Sequence, residues 1–268
     1  MLAEGARRLR DLAGSRSARL ARDLYHDLGH PPRARYFEAI EELCNGRPLA
    51  YVAGLAHFYG LKLTVDERVL IPRPETEELV RWILEYESSV APRTFADWCT
   101  GSGAVAIALL EQRSSYRGLA FDTSEDALFV ARNNAERYQV LDRLHLVRAD
   151  ALSQNPQDEM LEAVDFIVSN PPYIPEDDWH RVAPEVADHE PRIALAVEGD
   201  DPLLFYRKIA LLARQGALRL GGRLYFESND RYHAELRALL ERMGFQALET
   251  LVDMQGAPRH VRAVMADL

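Results

Sequence analysis

The stretch from Val164 to Tyr173 reads VDFIVSNPPY and joins a short apolar run to a polar turn. The apolar run is typical of a buried strand, and the two prolines end it because neither can donate a backbone hydrogen bond. Asn170 then stands at the carboxyl end of the strand, next to Pro171, Pro172 and the ring of Tyr173. This layout suits the binding of a planar amide or amine, because the site can accept hydrogen bonds from both of its N–H groups. Nitrogen methylation requires this geometry. A proline-stopped strand that is capped by asparagine is the other interpretation.

Around this stretch, the sequence alternates between strand-like and helix-like segments from about residue 93 onwards. Alternation of this kind predicts an α/β fold with a doubly wound parallel sheet. Two strand-like runs at the end have no long helix between them and indicate an antiparallel hairpin, so we expect seven strands in a mostly parallel sheet. The predicted strands are Thr94–Trp98, Gly118–Phe121, His145–Arg148, Val164–Ser169, Arg223–Glu227, Phe245–Leu251 and Arg259–Met265, and the predicted helices include Ala104–Glu111, Glu125–Tyr138 and Pro202–Arg214.

The first part of the chain differs in character from this sheet. Residues 1–48 carry leucines at roughly helical spacing and predict a small helical N-terminal domain. Residues 49–72 are rich in strand formers that partly alternate, which predicts a β-hairpin linker. Thr76 is expected to cap the next helix, because acidic residues follow it. The sheet domain is then predicted to occupy residues 73–268.

A glycine-rich turn, DWCTGSG, lies between the first predicted strand of the sheet and the following helix. Glycine lets the backbone approach a ligand closely, and the helix N-terminus adds polarised N–H groups. Gly101, Gly103 and Ala106 also satisfy the relaxed dinucleotide fingerprint, so the turn alone does not separate a nicotinamide cofactor from another adenosine cofactor. The candidate cofactor-binding residues of the turn are Asp97, Cys99, Thr100, Gly101, Ser102 and Gly103.

Polar side chains follow the next three predicted strands. Asp122 ends the second strand, where an acidic residue can bind both hydroxyls of a ribose. Asp150 follows the third strand, within reach of an adenine edge, and Asn170 ends the fourth. Each aspartate alone would be interpreted as a helix cap or a turn residue. Because ligands of open α/β sheets bind at the carboxyl edge of the strands, we expect these residues to form one cofactor site with the turn.

Composition limits the partners and the compartment. The net charge of −10 and the pI near 5.3 argue against a broad basic face for nucleic acid. The two cysteines, Cys44 and Cys99, lie far apart without metal-ligand spacing, which indicates a reducing compartment and no metal site. No apolar run approaches the length of a membrane span, and the first residues lack a signal-peptide pattern, so we expect a cytoplasmic protein.

Longer motifs carry a resemblance to a known family. The chain contains GRPLAYVAG at residues 46–54, FYGL at 58–61, VLIPRPETE at 69–77 and DHEPR at 188–192, together with the glycine-rich turn and the Asn-Pro-Pro-Tyr tetrapeptide. In these motifs it resembles the class I S-adenosylmethionine-dependent methyltransferases. Within them it is similar to the HemK/PrmC family, the glutamine N5-methyltransferases that modify peptide-chain release factors.

The resemblance implies a Rossmann-like sheet, S-adenosylmethionine as the cofactor and S-adenosylhomocysteine as the product. It implies a methyl acceptor in the glutamine of the Gly-Gly-Gln motif of class-1 release factors. An amide nitrogen is a poor nucleophile because its lone pair is delocalised, so the site must hold it in line with the methyl–sulfur bond. The enzyme is expected to be a monomer without a nucleic-acid or membrane partner. The expected catalytic residues are Asn170, Pro171, Pro172 and Tyr173.

Four residues in the matching motifs keep two interpretations. By the resemblance, His189 and Glu190 lie near the protein substrate, and otherwise they belong to a solvated loop. Glu75 and Glu77 either line the cofactor pocket or fix the interdomain segment by pairing with arginines.

Two segments depart from the family pattern. The turn carries Trp98-Cys99 where the family has Leu-Gly, and a positive φ there would strain Cys99. After the fifth strand, the residues from Glu227 to Asp230 read ESND in place of a Glu-x-Gly pattern.

Three alternatives stand beside the release-factor enzyme. A glutamine methyltransferase of a ribosomal protein would carry similar motifs, although the run at residues 73–77 favours the release-factor branch. An adenine-N6 methyltransferase of DNA or RNA can use the same tetrapeptide, but it needs an electropositive face and usually base flipping. A protein-binding member without activity is suggested by Cys99, and the intact tetrapeptide argues against it.

Overall fold

The computed structural model of the protein describes residues 1–87, 90–153 and 162–267. No helix in these ranges is both long enough and apolar enough to cross a membrane. The strands are β1 (Leu55–Phe58), β2 (Leu61–Thr64), β3 (Arg93–Trp98), β4 (Tyr116–Asp122), β5 (Leu144–Arg148), β6 (Val164–Ser169), β7 (Leu218–Glu227), β8 (Phe245–Val252) and β9 (Pro258–Met265). The helices are α1 (Leu2–Arg8), α2 (Arg10–Ala13), α3 (Ser17–Asp27), α4 (Arg33–Cys44), α5 (Leu49–Ala53), α6 (Pro74–Tyr86), α7 (Ala104–Gln112), α8 (Glu125–Arg137), α9 (Pro184–Ala187), α10 (Leu204–Leu212) and α11 (His233–Arg242).

Strands β3 to β9 form one seven-stranded sheet in the order β5-β4-β3-β6-β7-β9-β8. The first five strands in this order, β5, β4, β3, β6 and β7, are parallel to one another. Strand β9 lies between β7 and β8 and is antiparallel to both. The predicted doubly wound sheet with a final antiparallel hairpin is therefore confirmed. The strand order reverses between β3 and β6, and α/β sheets bind their ligands at such a switch point.

Apolar layers cover both faces of the sheet, which is why its central strands read as nearly continuous apolar runs. On one face, Phe95 and Phe166 stack with their ring centroids 5.3 Å apart, in a cluster that includes residues of α6 and α7. On the other face, Phe121 and Phe226 belong to a cluster with residues of α10 and α11. Each of these buried rings contributes about 1.5–3 kcal/mol through the apolar area that it removes from water. The sheet is thus a rigid platform for the residues at its edges.

The N-terminal helices have an apolar core of their own, which includes Leu24, Tyr36 and Ile40. Helix α5 extends helical structure into the segment predicted as a hairpin linker, and the antiparallel hairpin β1–β2 follows it. Tyr59 and Gly60 form the two-residue turn of this hairpin with φ values of 48° and 79°. Positive φ at both positions is what a type I′ hairpin turn requires.

Helix α6 begins at Pro74, after Arg73 as the N-cap residue, and no side chain caps it. Proline suits the first helical position because its fixed φ is helical and its missing N–H is not needed there. The prediction that Thr76 caps this helix is therefore wrong. Thr76 lies inside the first turn, and its buried hydroxyl bonds to the distant carboxylate of Glu227 instead.

Candidate active site

A cavity of about 520 Å³ lies at the carboxyl edge of the sheet, at the switch point between β3 and β6. The fold thus brings together polar residues that follow four different strands. Six of the predicted site residues line the cavity, namely Cys99, Gly101, Asp122, Asp150, Asn170 and Pro172. The other predicted residues are not part of its lining, namely Asp97, Thr100, Ser102, Gly103, Pro171 and Tyr173.

Gly101 and Asp122 line the cavity next to each other. The backbone N–H of Gly101 donates to Oδ2 of Asp122 at 2.9 Å, and the N–H of Ser124 donates to Oδ1 at 3.0 Å. Burial raises the pKa of the Asp122 carboxyl. Gly101 has a φ of +55°, and a Cβ added to it would meet no heavy atom within 4 Å. A ligand can therefore approach the Gly101 backbone closely beside a fixed carboxylate.

Asp97 and Thr100 support the turn from behind. Both are buried, and the Thr100 hydroxyl donates to Oδ2 of Asp97 at 2.6 Å. Burial raises the pKa of the Asp97 carboxyl to about 7. Ser102 is buried as well, and its carbonyl oxygen accepts a hydrogen bond from Nδ2 of Asn134 at 3.0 Å. These three residues shape the cavity wall without lining it.

Gly103 is expected to be the most sensitive glycine of the turn when folding stability is measured. It has a φ of +79°, and a Cβ there would lie 3.0 Å from Cδ1 of Ile107 and 3.3 Å from Cβ of Ala131. Gly103→Ala should lower the free energy of unfolding by about 2–3 kcal/mol, through backbone strain and overpacking. Gly101→Ala is the matched control, because it has a similar φ but open space, and it should cost about 1 kcal/mol. Denaturant unfolding of both variants checks this, and an equal loss would contradict the packing argument.

Cys99 adopts the left-handed conformation that the sequence made a concern, with a φ of +62°. A side chain at this φ is strained by roughly 1–2 kcal/mol, so the surrounding structure must hold it in place. The hydroxyl of Ser169 donates to the carbonyl oxygen of Trp98 at 2.6 Å and thereby fixes the peptide that precedes Cys99. Burial raises the pKa of the Cys99 thiol well above its ordinary value. The cavity therefore meets a neutral thiol here.

The tetrapeptide continues directly from β6 into the cavity wall. Asn170 is half-buried, and its Nδ2 lies 3.4 Å from Oγ1 of Thr76. The backbone N–H groups of Tyr173 and Ile174 both donate to the carbonyl oxygen of Leu195, at 3.2 and 3.0 Å. Burial raises the pKa of Tyr173 to about 12, which keeps its hydroxyl neutral. The segment around Leu195 thus anchors the turn that presents Asn170.

Side chains from the segment that follows the tetrapeptide also line the cavity. Glu176 and Arg192 both line it and form an ion pair with each other. The guanidinium of Arg192 also lies 4.3 Å from the ring centroid of Trp179, within cation–π range. Ile193 also lines the cavity and remains largely exposed. Sequence reasoning did not single out these residues, although Arg192 closes the DHEPR motif.

Glu190 is a buried structural carboxylate and does not belong to a solvated loop. It accepts hydrogen bonds from the side chain of Arg73 and from the backbone N–H of Ile71, the latter at 3.1 Å. The loop at residues 188–192 is therefore tied to the segment before α6. Its neighbour His189 is half-buried. Its Nε2 would lie 3.9 Å from a Cβ added to Gly46, so the loop also adjoins the end of the N-terminal helices.

The acidic residues of the run at 73–77 take no part in the cavity lining, which contains neither Glu75 nor Glu77. Arg73 of this run forms an ion pair with Glu190. In the part of the chain that the structure describes, no group of three or more His, Cys, Asp or Glu side chains could hold a metal ion.

Comparisons with known proteins agree with this geometry. A family described as "Methyltransferase domain" matches residues 95–189. A release factor glutamine methyltransferase of Chlorobaculum tepidum is 43% identical over 228 residues, which cover 81% of this chain and 76% of that protein. A protein of the same name from Clostridium acetobutylicum is 36% identical over 234 residues, which cover 87% of this chain and 81% of that protein. The N-terminal domain of human METTL16 in complex with SAH superposes with a TM-score of 0.56 at 18% identity, over 78% of this chain and 77% of that one.

Proposed function

The chain belongs to the family of release factor glutamine methyltransferases, and from this premise we propose its reaction. It transfers a methyl group from S-adenosylmethionine to the side-chain amide nitrogen, N5, of the glutamine in the Gly-Gly-Gln motif of class-1 release factors. The observation that carries the proposal is the position of Asn170, which lines the same cavity as Gly101 and Asp122. The proposed amide-binding residue and the proposed cofactor-binding residues therefore line a single cavity.

The residues of the cavity fit an adenosine cofactor. The open space over Gly101 accepts a closely approaching ligand, and each Asp122 oxygen keeps a second lone pair beside its backbone bond, so that ribose hydroxyls can be bound. Asp150 uses Oδ1 to accept the N–H of Leu152 at 2.8 Å, which leaves Oδ2 for an adenine amino group. When it is bound, S-adenosylmethionine supplies an electrophilic methyl group on its sulfonium sulfur.

The residues of the tetrapeptide orient the acceptor nitrogen. The side-chain oxygen of Asn170 accepts one N–H of the glutamine amide, and the carbonyl oxygen of Pro171 accepts the other. Both acceptors stabilise the positive charge that develops on the nitrogen as the new bond forms. Tyr173 does not line the cavity and packs against the apolar cluster of the sheet, so we assign it to holding the turn that carries Asn170. The proton leaves after the transfer, so the site needs no strong general base.

The N-terminal helices are the part of the chain that we assign to engaging the protein substrate. They have an apolar core separate from those of the sheet. His57 in β1 and Asp27 at the end of α3 lie 3.0 Å apart and connect the two parts. We therefore divide the chain into a substrate-engaging domain at 1–48, a linker at 49–72 and the methyltransferase domain at 73–268. The enzyme is proposed to work in the cytoplasm as a monomer, with a release factor as its partner.

The experiment that tests this proposal is methyl transfer to a purified class-1 release factor, with S-adenosylmethionine labelled in its methyl group. The control is the same factor with its Gly-Gly-Gln glutamine changed to alanine. We expect label on the native factor and none on the control. Equal label on both factors would show that the methyl group is transferred to a residue other than this glutamine. No label, despite measurable cofactor binding, would contradict the release-factor substrate and redirect the search to other proteins or to nucleic acid.

A further inference from the structure

A series of buried polar groups leads from the candidate catalytic asparagine, through Thr76, to the end of the neighbouring strand β7. Nδ2 of Asn170, at the end of β6, lies 3.4 Å from Oγ1 of Thr76 in the first turn of α6. That hydroxyl lies 2.7 Å from Oε2 of Glu227, the last residue of β7. Thr76 is 5% exposed and Glu227 is 2% exposed, so little water competes for these contacts. Three elements that are remote in sequence therefore meet behind the site.

The direction of these hydrogen bonds follows from the chemistry of the groups. A carboxylate can only accept, so the hydroxyl of Thr76 donates its proton to Glu227. The lone pairs of the same hydroxyl oxygen are then left for Asn170, and only the Nδ2 end of the Asn170 amide can donate to them. The two ends of an asparagine amide are distinguished by their hydrogen-bond partners. The hydrogen bonds from Asn170 through Thr76 to Glu227 therefore direct Nδ2 of Asn170 toward Thr76. The Oδ1 end consequently points away from Thr76.

Glu227 is itself held firmly, so it can serve as the fixed end of the series. Its carbonyl oxygen accepts the hydroxyl of Tyr206 at 2.9 Å. It stands opposite His260 in the pairing of β7 with β9, and its Oε2 lies 3.6 Å from Nε2 of that histidine. The carboxylate is thus confined by the sheet and by α6.

We propose that Thr76 and Glu227 are positioning residues that set the orientation of the Asn170 amide, so that Oδ1 faces the substrate. The inference rests on the function proposed above, in which Asn170 must accept an N–H from the glutamine amide. A flipped Asn170 would present its own two N–H groups to those of the substrate, and neither side could accept. No residue of the run at 73–77 lines the cavity. The positioning of Asn170 by Thr76 gives this run a role in the site.

The test compares two variants that differ by one hydroxyl group. Thr76→Val removes the hydroxyl but keeps the shape of the side chain, and Thr76→Ser retains the hydroxyl. We expect Thr76→Val to lower kcat about tenfold, the loss that corresponds to one net hydrogen bond. KM for the release factor and Kd for S-adenosylmethionine should stay within about twofold, because those contacts lie elsewhere. Thr76→Ser should recover most of the turnover.

Two controls separate positioning from a general loss of structure. Thr94→Val is the first control. The hydroxyl of Thr94 also donates to a carboxylate, that of Asp165 at 3.1 Å, but it lies at the opposite edge of the sheet. Its removal should leave kcat unchanged. Thr76→Ala removes the hydroxyl without adding a methyl group toward Glu227, and it should lose as much turnover as Thr76→Val. If either hydroxyl-free variant keeps the turnover of Thr76→Ser, the proposal is overturned.

The decisive measurement is a double-mutant cycle with Asn170→Ala. If Thr76 acts through Asn170, adding Thr76→Val to Asn170→Ala should cost no further activity. An independent tenfold loss in that background would overturn the proposal. The wild-type enzyme must first label the release factor in the same assay. Failure of the proposed function is therefore seen in the wild type, and failure of this inference is seen only in the variants.

Discussion

Asn170→Ala should lower kcat for release-factor methylation on the order of 10²–10³-fold, as removal of a single preorganised polar group does in other active sites. The amide of Asn170 lines the cavity from the end of β6 and is held from behind by Thr76. Without it, the substrate nitrogen loses the acceptor that aligns it, so the loss should fall on turnover. Single-turnover methyl transfer at saturating cofactor measures this directly.

The matched variant for this experiment is Asn170→Gln. It keeps an amide but displaces it by one methylene, and a displacement of about 1 Å can cost about 10²-fold in rate. We therefore expect Asn170→Gln to recover little activity. Cofactor affinity of both variants, measured by calorimetric titration, should change far less than turnover does. Normal turnover in Asn170→Ala would remove this residue from the proposed mechanism.

Asp122→Ala should weaken the binding of S-adenosylmethionine about 100-fold. Two hydroxyl groups that donate to a carboxylate account for about 3 kcal/mol at roughly 1.5 kcal/mol each, and every 1.4 kcal/mol is about tenfold in Kd. The carboxylate also accepts the N–H groups of Gly101 and Ser124, so stability is expected to fall as well. Equilibrium titration with the cofactor, at a temperature at which the variant remains folded, measures the effect.

Ser124→Ala separates the two consequences of removing Asp122. The side chain of Ser124 caps α8 by accepting the N–H of Ala127 at 3.1 Å, and its loss should cost about 1 kcal/mol of stability. It removes no contact that we assign to the ribose, so the Kd for the cofactor should stay close to that of the wild type. If Ser124→Ala weakened binding as strongly as Asp122→Ala, local distortion would explain both results, and Asp122 would have no place at the ribose.

The order of elements and the site edge were predictable from local patterns. Short apolar runs that end in Asp122 and Asn170 indicated parallel strands, and the carboxyl ends of parallel strands meet at one edge. The fold therefore follows from the periodicity of the chain, and the grouping of the lining residues follows from the fold.

Contacts between distant residues were not predictable in the same way. Thr76 and Glu227 are 151 positions apart, and Glu190 reaches Arg73 across 117 positions. A threonine near the start of a helix can cap the helix or can form a hydrogen bond with a distant residue, and the local sequence is the same in both cases. Thr76 was predicted to cap α6, but its hydroxyl donates to Glu227 instead. Glu190 lies in a polar, proline-flanked loop, and only tertiary packing shows that its carboxylate is buried.

The side of the turn on which each residue falls was also beyond the local pattern. Asp97 and Cys99 are separated by one residue, yet Cys99 lines the cavity and Asp97 lies behind it. Both faces of a parallel sheet are apolar, so alternation does not tell the faces apart. The φ of +62° at Cys99 was not predicted, and the family pattern, which has glycine at this position, only made a positive φ a point to examine.

The proposed reaction places the methyl group on the side-chain nitrogen of one glutamine. Tandem mass spectrometry of the Gly-Gly-Gln peptide, taken from a release factor that has been incubated with the enzyme and S-adenosylmethionine, tests it most directly. We expect a single added methyl group on the glutamine side chain, which is absent when the enzyme carries Asn170→Ala. A methyl group on any other residue of the factor, or an unmodified peptide from an enzyme that binds the cofactor normally, would contradict it.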